Sequence, residues 1–185
     1  MGIWPVGKGS RLNRILTIRW SGQLTDGLFQ SALASFVLFS PERAPNAVSA
    51  ALAFSVVLLP YSLIGPYVGT FLDRFSRQRI IRNCNYVRAA NLLIIAWLIN
   101  NSSTGIILTL FVLFAFGVNR LILSGLSAGL PLLVKKEELI AANALAVTGG
   151  TIWVVIGGGI GIAIKNLLSQ SSNADFADAV VILIA

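Results

Sequence analysis

Two ionisable residues stand inside long apolar segments, where a charge is costly. Asp26 lies in residues 15–39, about 16 Å from the start of that segment at the helical rise per residue. Arg120 lies near the centre of residues 105–134, about 20 Å from either end by the same rise. Ionisable groups at such depth mark ion or substrate pathways by default. The sequence therefore predicts that Asp26 takes up and releases a proton and pairs with Arg120, and a purely structural ion pair is the alternative.

Three amides interrupt the same kind of apolar segment. Gln23 and Gln30 flank Asp26 in the first segment, and Asn91 lies in residues 80–99. Such amides can line a polar pathway through the bundle, or they can bond to the backbone of a helix. Both readings fit the sequence equally well.

Glycines recur four residues apart in three of the apolar segments. Small residues at this spacing let membrane helices approach closely. The sequence therefore predicts tight helix packing at three pairs of glycines: Gly65 and Gly69, Gly125 and Gly129, Gly157 and Gly161. A phosphate-binding loop is not indicated, because no Lys-Ser or Lys-Thr follows the glycines.

A densely charged stretch separates two apolar segments and contains Asp73, Arg74, Arg77 and Arg79. A charge at mid-membrane costs about 2.5–3.5 kcal/mol or more, so the stretch is expected to form a short loop at a water interface. Arginines alone would act as a topology signal, in which acidic residues count little. Asp73 therefore indicates a partner, either Arg77 one turn further on or the positive N-terminus of a neighbouring helix.

This stretch resembles the cytoplasmic loop between helices 2 and 3 of the major facilitator superfamily of transporters. Ser76 stands where that family prefers glycine, and Gln78 stands where it prefers a base. The resemblance implies a latch that holds the two halves of a transporter in the outward-facing state without contacting substrate. The matching residues are Gly69, Asp73, Arg74, Arg77 and Arg79.

Two further segments resemble bacterial efflux members of the same family. Residues 119–125 are similar to a helix 4 signature of proton-coupled exporters, with Ser124 at an expected glycine and Gly125 one residue late. Residues 135–145 resemble the loop between helices 4 and 5 of that group. The resemblance implies a proton-relay role for Arg120, although residues 139–168 lack the proline of the exporters' helix 5 signature.

Composition is that of a multi-pass membrane protein. The chain is 56% hydrophobic and 11% charged, with a mean hydropathy of +0.81, whereas soluble domains carry about 25% charged residues. The bases behind the net charge of +7 stand in separate short segments, which suits topology control and argues against nucleic acid. Histidine is absent and Cys84 is the single cysteine, so no metal, cofactor or enzymatic activity is expected.

The apolar segments predict an all-α membrane helix bundle that follows a basic tail of residues 1–14. The first five segments reach the roughly 20 residues that a bilayer requires, and the sixth is incomplete. The resemblance implies the N-terminal six-helix half of a major facilitator fold, truncated in its sixth helix as a fragment or a shortened gene product. The predicted helices are residues 15–39, 47–72, 80–99, 105–134, 139–168 and 179–185.

Counting bases near the ends of these helices gives the orientation. Arg43 and Lys165 fall on one side of the membrane, and ten bases fall on the other. The sequence therefore predicts a plasma-membrane protein with a cytoplasmic N-terminus. The ten bases are Lys8, Arg11, Arg14, Arg19, Arg74, Arg77, Arg79, Arg82, Lys135 and Lys136.

Together these features predict secondary transport of a small solute across the lipid bilayer. Alternating access needs two six-helix halves, so a C-terminal half or a second chain is expected as partner. The resemblance implies proton-coupled efflux. The alternative is a non-transporting membrane protein that serves as an interaction module and tolerates neutralisation of Asp26 and Arg120.

Overall fold

The computed structural model describes residues 10–33, 48, 76–102, 105–169 and 173–185. Two short 3-10 turns, Leu130–Leu132 and Lys136–Glu138, join the third and fourth helices. Every regular element in the described part of the chain is helical, so the predicted all-α class is confirmed there. The helices are α1 (Ser10–Leu33), α2 (Arg77–Asn100), α3 (Ile106–Gly129), α4 (Leu139–Ser169) and α5 (Ala174–Ile184).

The helix boundaries differ from the predicted ones at both ends of the chain. α1 begins at Ser10, inside the predicted basic tail, because Leu12 and Leu16 are buried and anchor its first turns. α5 begins at Ala174 rather than residue 179, since Asp178 has an ionic partner inside the bundle. The second predicted helix, residues 47–72, lies outside the described residues except for Val48.

Among the described residues, two helical stretches are long and apolar enough to cross a membrane: Ile106–Leu132 and Lys136–Ser169. α1 and α2 are each 24 residues long, which gives about 36 Å and exceeds the hydrocarbon thickness. Their charged residues, among them Asp26 and Arg88, lower their hydropathy. By length and hydropathy together, the described part of the chain therefore contains two candidate membrane spans, and the six predicted ones are not reproduced there.

Two clusters of buried side chains define the two ends of the bundle. Leu12 and Leu16 of α1 pack with Leu130 after α3 and with Ala142 and Ala146 of α4. The beginnings of α1 and α4 and the end of α3 therefore meet at one end, which we call the N-terminal end. α2 also begins there, since Arg77 contacts the last turn of α3.

The larger cluster occupies the opposite end of the bundle. It combines Leu28 and Phe29 of α1 with Ile99 of α2, Leu108 of α3 and Ile182 of α5. The Phe29 ring lies 5.9 Å from that of Phe116 in a tilted arrangement that aromatic pairs favour. Buried side chains at this end therefore tie α1, α2, α3 and α5 together.

α1 and α4 pack with their backbones in direct contact along a line of glycines. A Cβ added at Gly157 would overlap the carbonyl oxygen of Leu24, and one added at Gly27 would overlap that of Val154. Gly150 and Gly161 are also buried on this face of α4. This α1–α4 seam leaves no room for a side chain at its centre.

Of the other two predicted glycine pairs, one is less crowded than the seam and the other lies outside the described residues. Gly125 is buried within α3, and a Cβ at Gly129 would lie at an ordinary 3.6 Å from the Ile15 side chain. Gly65 and Gly69 lie outside the described residues.

Substitution of Gly157 by alanine is expected to destabilise the protein. The added Cβ would force the α1 and α4 backbones apart, and overpacking of this kind costs about 1–3 kcal/mol. Gly159 is the matched control, because a Cβ there has no atom within 4 Å and alanine favours the helix. Thermal unfolding in detergent should show a lower Tm for Gly157→Ala alone. Equal melting temperatures for both variants would contradict the seam.

Candidate functional site

A buried ion pair joins α1 to α2 in the interior of the bundle. The Nη2 atom of Arg88 lies 2.7 Å from Oδ1 of Asp26, and the two side chains are only 8% and 7% exposed. Because both charges are removed from water, each is stabilised mainly by the other. Loss of one partner would leave an uncompensated charge inside the protein.

Asn119 of α3 completes the arrangement. Its Nδ2 atom donates to Oδ2 of Asp26 at 3.0 Å, so both carboxylate oxygens have a partner. Arg88 Nη1 donates to Oδ1 of Asn119, and Arg88 Nη2 donates to the Gly22 carbonyl, both at 3.4 Å. We call Asp26, Arg88 and Asn119 the Asp26 triad. It connects three helices through one carboxylate.

The predicted pairing of Asp26 with Arg120 is wrong, because the arginine beside Asp26 is Arg88. Asn119 faces Asp26, and the next residue, Arg120, is rotated by about 100° around the helix and is exposed. Arg88 is not among the site residues predicted from the sequence. It lies 11 residues into α2, about 16 Å along that helix, so the same depth argument would have identified it.

The three candidate amides lie in three different surroundings. Asn91 is buried and its Nδ2 atom donates to the Phe111 carbonyl of α3 at 3.0 Å, which is the backbone-bonding alternative. The half-buried Gln23 side chain faces α4 at Gly150. Gln30 is exposed. The three amides therefore do not line one common polar pathway in the structure.

Part of the predicted latch lies at the N-terminal end of the bundle. Arg77 Nη1 donates to the Ala128 carbonyl in the last turn of α3 at 2.8 Å, where a cation also suits the helix dipole. Arg79 is exposed. The remaining latch residues, Gly69, Asp73 and Arg74, lie outside the described residues.

Besides Arg88 on α2, one arginine of α1 is buried, and this is Arg19. It stands two helical turns before Asp26 and therefore on the same face of the helix. Its Nη1 atom donates to the Ser127 hydroxyl of α3 at 2.9 Å. Arg19 was predicted only as a topology signal, yet its side chain also makes a polar contact between α1 and α3.

A second ion pair joins α4 to α5 at the opposite end of the bundle. Lys165 Nζ lies 3.1 and 3.2 Å from the two carboxylate oxygens of Asp178. The Asp178 side chain is 2% exposed and that of Lys165 is 20% exposed. The pair explains how α5 carries a buried carboxylate next to its apolar residues.

A cavity of about 1120 Å³ opens at the N-terminal end, between α1, α2 and the end of α3. Arg88 and Gly22 belong to its lining. The Asp26 triad therefore borders this cavity through Arg88, whose guanidinium group contacts the Asp26 carboxylate.

Comparison with known proteins identifies relatives over most of the chain. It is 35% identical over 172 residues to uncharacterised MFS-type transporters of Mycobacterium bovis and Mycobacterium tuberculosis, covering 93% of this chain and 38% of each relative. It is 26% identical over 125 residues to macrolide efflux protein A of Streptococcus pyogenes, covering 65% of this chain and 30% of that relative.

The chain thus spans less than half the length of these relatives. No protein-family profile and no solved structure matches it. The long mycobacterial match agrees with the resemblance of the charged stretch. The chain therefore belongs to the major facilitator superfamily of membrane transporters.

Proposed function

We propose that the chain forms part of a proton-coupled secondary transporter that exports a small solute by alternating access. The observation that carries this proposal is the Asp26 triad, a carboxylate held inside the bundle by Arg88 and Asn119. Membrane transport at the level of the family follows from the relatives. The assignment of coupling to this carboxylate is our own.

Asp26 is the proton carrier in this mechanism. Protonation would remove its negative charge and convert the ion pair with Arg88 into a weaker contact between an arginine and a neutral carboxyl. Since the carboxylate links α1 to both α2 and α3, its protonation state would alter the relative stability of two arrangements of these helices. Proton binding would thereby be coupled to conformational change.

Arg88 and Asn119 are positioning residues in this proposal. Arg88 supplies the positive charge that favours the ionised carboxylate, and Asn119 fixes the orientation of its second oxygen. Arg88 also lies in the cavity lining, which supports proton release toward the N-terminal end. Gln23 and Gln30 remain proposals for the substrate pathway.

The orientation is proposed from the charges of the described residues. Arg11, Arg79 and Lys135 lie at the N-terminal end with other bases, whereas Lys165 lies near the opposite end. The positive-inside rule then supports a cytoplasmic N-terminal end in the plasma membrane. A second set of helices, in a C-terminal half or another chain, would complete the substrate path.

Everted membrane vesicles test this function directly. The complete reading frame that contains this chain is expressed, and uptake of a radiolabelled macrolide, the class named for the streptococcal relative, is followed under an imposed proton gradient. We expect accumulation that collapses with a protonophore, and release of luminal protons when substrate is added. Accumulation that persists with the protonophore would contradict proton coupling. Absence of transport for a broad panel of solutes would favour an interaction module.

A further inference from the structure

Arginines from two helices converge on the mouth of the cavity at the N-terminal end. Each helix contributes them from its first turns, and all of them line the same cavity of about 1120 Å³. A topology signal requires bases near the membrane surface but does not require that they share one cavity. The mouth arginines are Arg11 and Arg14 of α1 with Arg77, Arg79 and Arg82 of α2.

The charge at this mouth is not balanced by the described residues. The lining contains no acidic residue among them, and the ion pairs that they form include none of the mouth arginines. Arg77 donates one hydrogen bond to the Ala128 carbonyl, but this group is neutral and does not balance the arginine's charge. Like charges gathered at a low-dielectric wall repel one another and attract an anion.

The rest of the lining is mostly apolar. It consists largely of branched side chains on α1, α2 and the end of α3, with small residues and a few polar side chains such as Thr25, Asn85 and Arg88. A ligand that matched both parts would carry an anionic group at one end and a hydrocarbon portion at the other. The apolar lining residues include Ile18, Ile81, Leu92, Leu126, Leu132 and Leu133.

We propose that this cavity binds one anionic phospholipid, with its phosphate at the mouth arginines and part of an acyl chain along the apolar walls. The guanidinium group matches phosphate oxygens in a bidentate arrangement, so several arginines can hold one phosphate firmly. Basic pockets between membrane helices bind anionic headgroups in the same way. The apolar walls favour a lipid over free phosphate as the source of the anion.

Native mass spectrometry of the purified chain in detergent tests this site. The chain is titrated with phosphatidylglycerol, with phosphatidylcholine and, separately, with inorganic phosphate as competitor. We expect one phosphatidylglycerol bound per chain, at least about tenfold weaker binding of phosphatidylcholine, and little displacement by millimolar phosphate. Equal binding of the two lipids would overturn the proposal, and so would complete displacement by inorganic phosphate.

Two double variants separate the cavity from general surface charge. Arg79→Gln with Arg82→Gln removes two bases from the lining, whereas Lys135→Gln with Lys136→Gln removes two exposed bases outside it. We expect phosphatidylglycerol binding to weaken at least about tenfold in the arginine variant and by less than about twofold in the lysine variant. Equal weakening would mean diffuse attraction and would overturn the site.

A third double variant on α1 guards against a folding defect in α2. Arg11→Gln with Arg14→Gln changes two exposed side chains and should weaken phosphatidylglycerol binding in the same way. Unchanged binding in both arginine variants would overturn the proposal. These readouts measure lipid binding without transport, so they stand or fall independently of proton coupling at Asp26.

Discussion

Replacement of Asp26 by asparagine is expected to abolish proton-coupled export, lowering substrate accumulation in everted vesicles to the background of vesicles without the protein. Asparagine keeps the size of the side chain but cannot take up or release a proton. The Asp26→Glu variant retains a titratable group one methylene further out, and we expect it to keep measurable proton-dependent transport. Residual export in Asp26→Asn at the level of the unmodified protein would remove Asp26 from the mechanism.

The matched control for this prediction is Asp175→Asn on α5. It is the same chemical change at a carboxylate that accepts a hydrogen bond from the Ser102 hydroxyl at 2.8 Å, far from the triad in sequence. We expect its export to stay within about twofold of the unmodified protein. A loss equal to that of Asp26→Asn would mean that any acidic residue matters, and the special role of the triad would be withdrawn.

A folding defect is separated from a coupling defect by a charge-neutral double variant. Asp26→Asn alone leaves the Arg88 charge unpaired inside the bundle, so the single variant loses stability as well as function. In Asp26→Asn with Arg88→Gln both charges are gone and amides can bond to each other. We expect this double variant to regain thermal stability while remaining inactive in proton-coupled export.

Arg88→Met is expected to cause the largest loss of stability among single arginine substitutions in the described helices. Methionine fills similar space but leaves the Asp26 carboxylate without its ionic partner, and breaking a buried pair costs about 3–5 kcal/mol. Thermal unfolding in detergent measures the effect as a lower Tm. Arg79→Met is the matched control on the same helix, where the side chain is exposed and surface changes amount to about 0.5 kcal/mol.

A double-mutant cycle tests the pairing of Asp26 with Arg88 directly. A large effect of Arg88→Met that disappears in combination with Asp26→Asn would establish their direct coupling by a double-mutant cycle.

The family and the presence of a buried carboxylate, Asp26, could both be predicted from the sequence. Apolar segments of bilayer length and the charged stretch around Asp73 both reflect local chemistry, which can be read along the chain. The depth of Asp26 follows from counting residues along a helix. These features do not depend on how one helix is rotated against another.

Partner identity does depend on rotation, and there sequence reasoning failed. One residue is about 100° on a helix, so the choice between Asn119 and Arg120 facing α1 is set by packing of the whole bundle. For the same reason, the glycines of α4 predicted close packing but not that α1 would be its partner. Asp178 entered a helix instead of a loop because Lys165 lies beside it.

Contact between backbones at the seam restricts how the protein can move. With Gly27 and Gly157 each lying against a carbonyl group of the other helix, α1 cannot slide along α4 without a collision. We therefore expect the two helices to move as one rigid body, so that a displacement of α1 at Asp26 also moves α4. In the proposed alternating-access cycle, spin labels on these two helices are therefore expected to keep a constant separation.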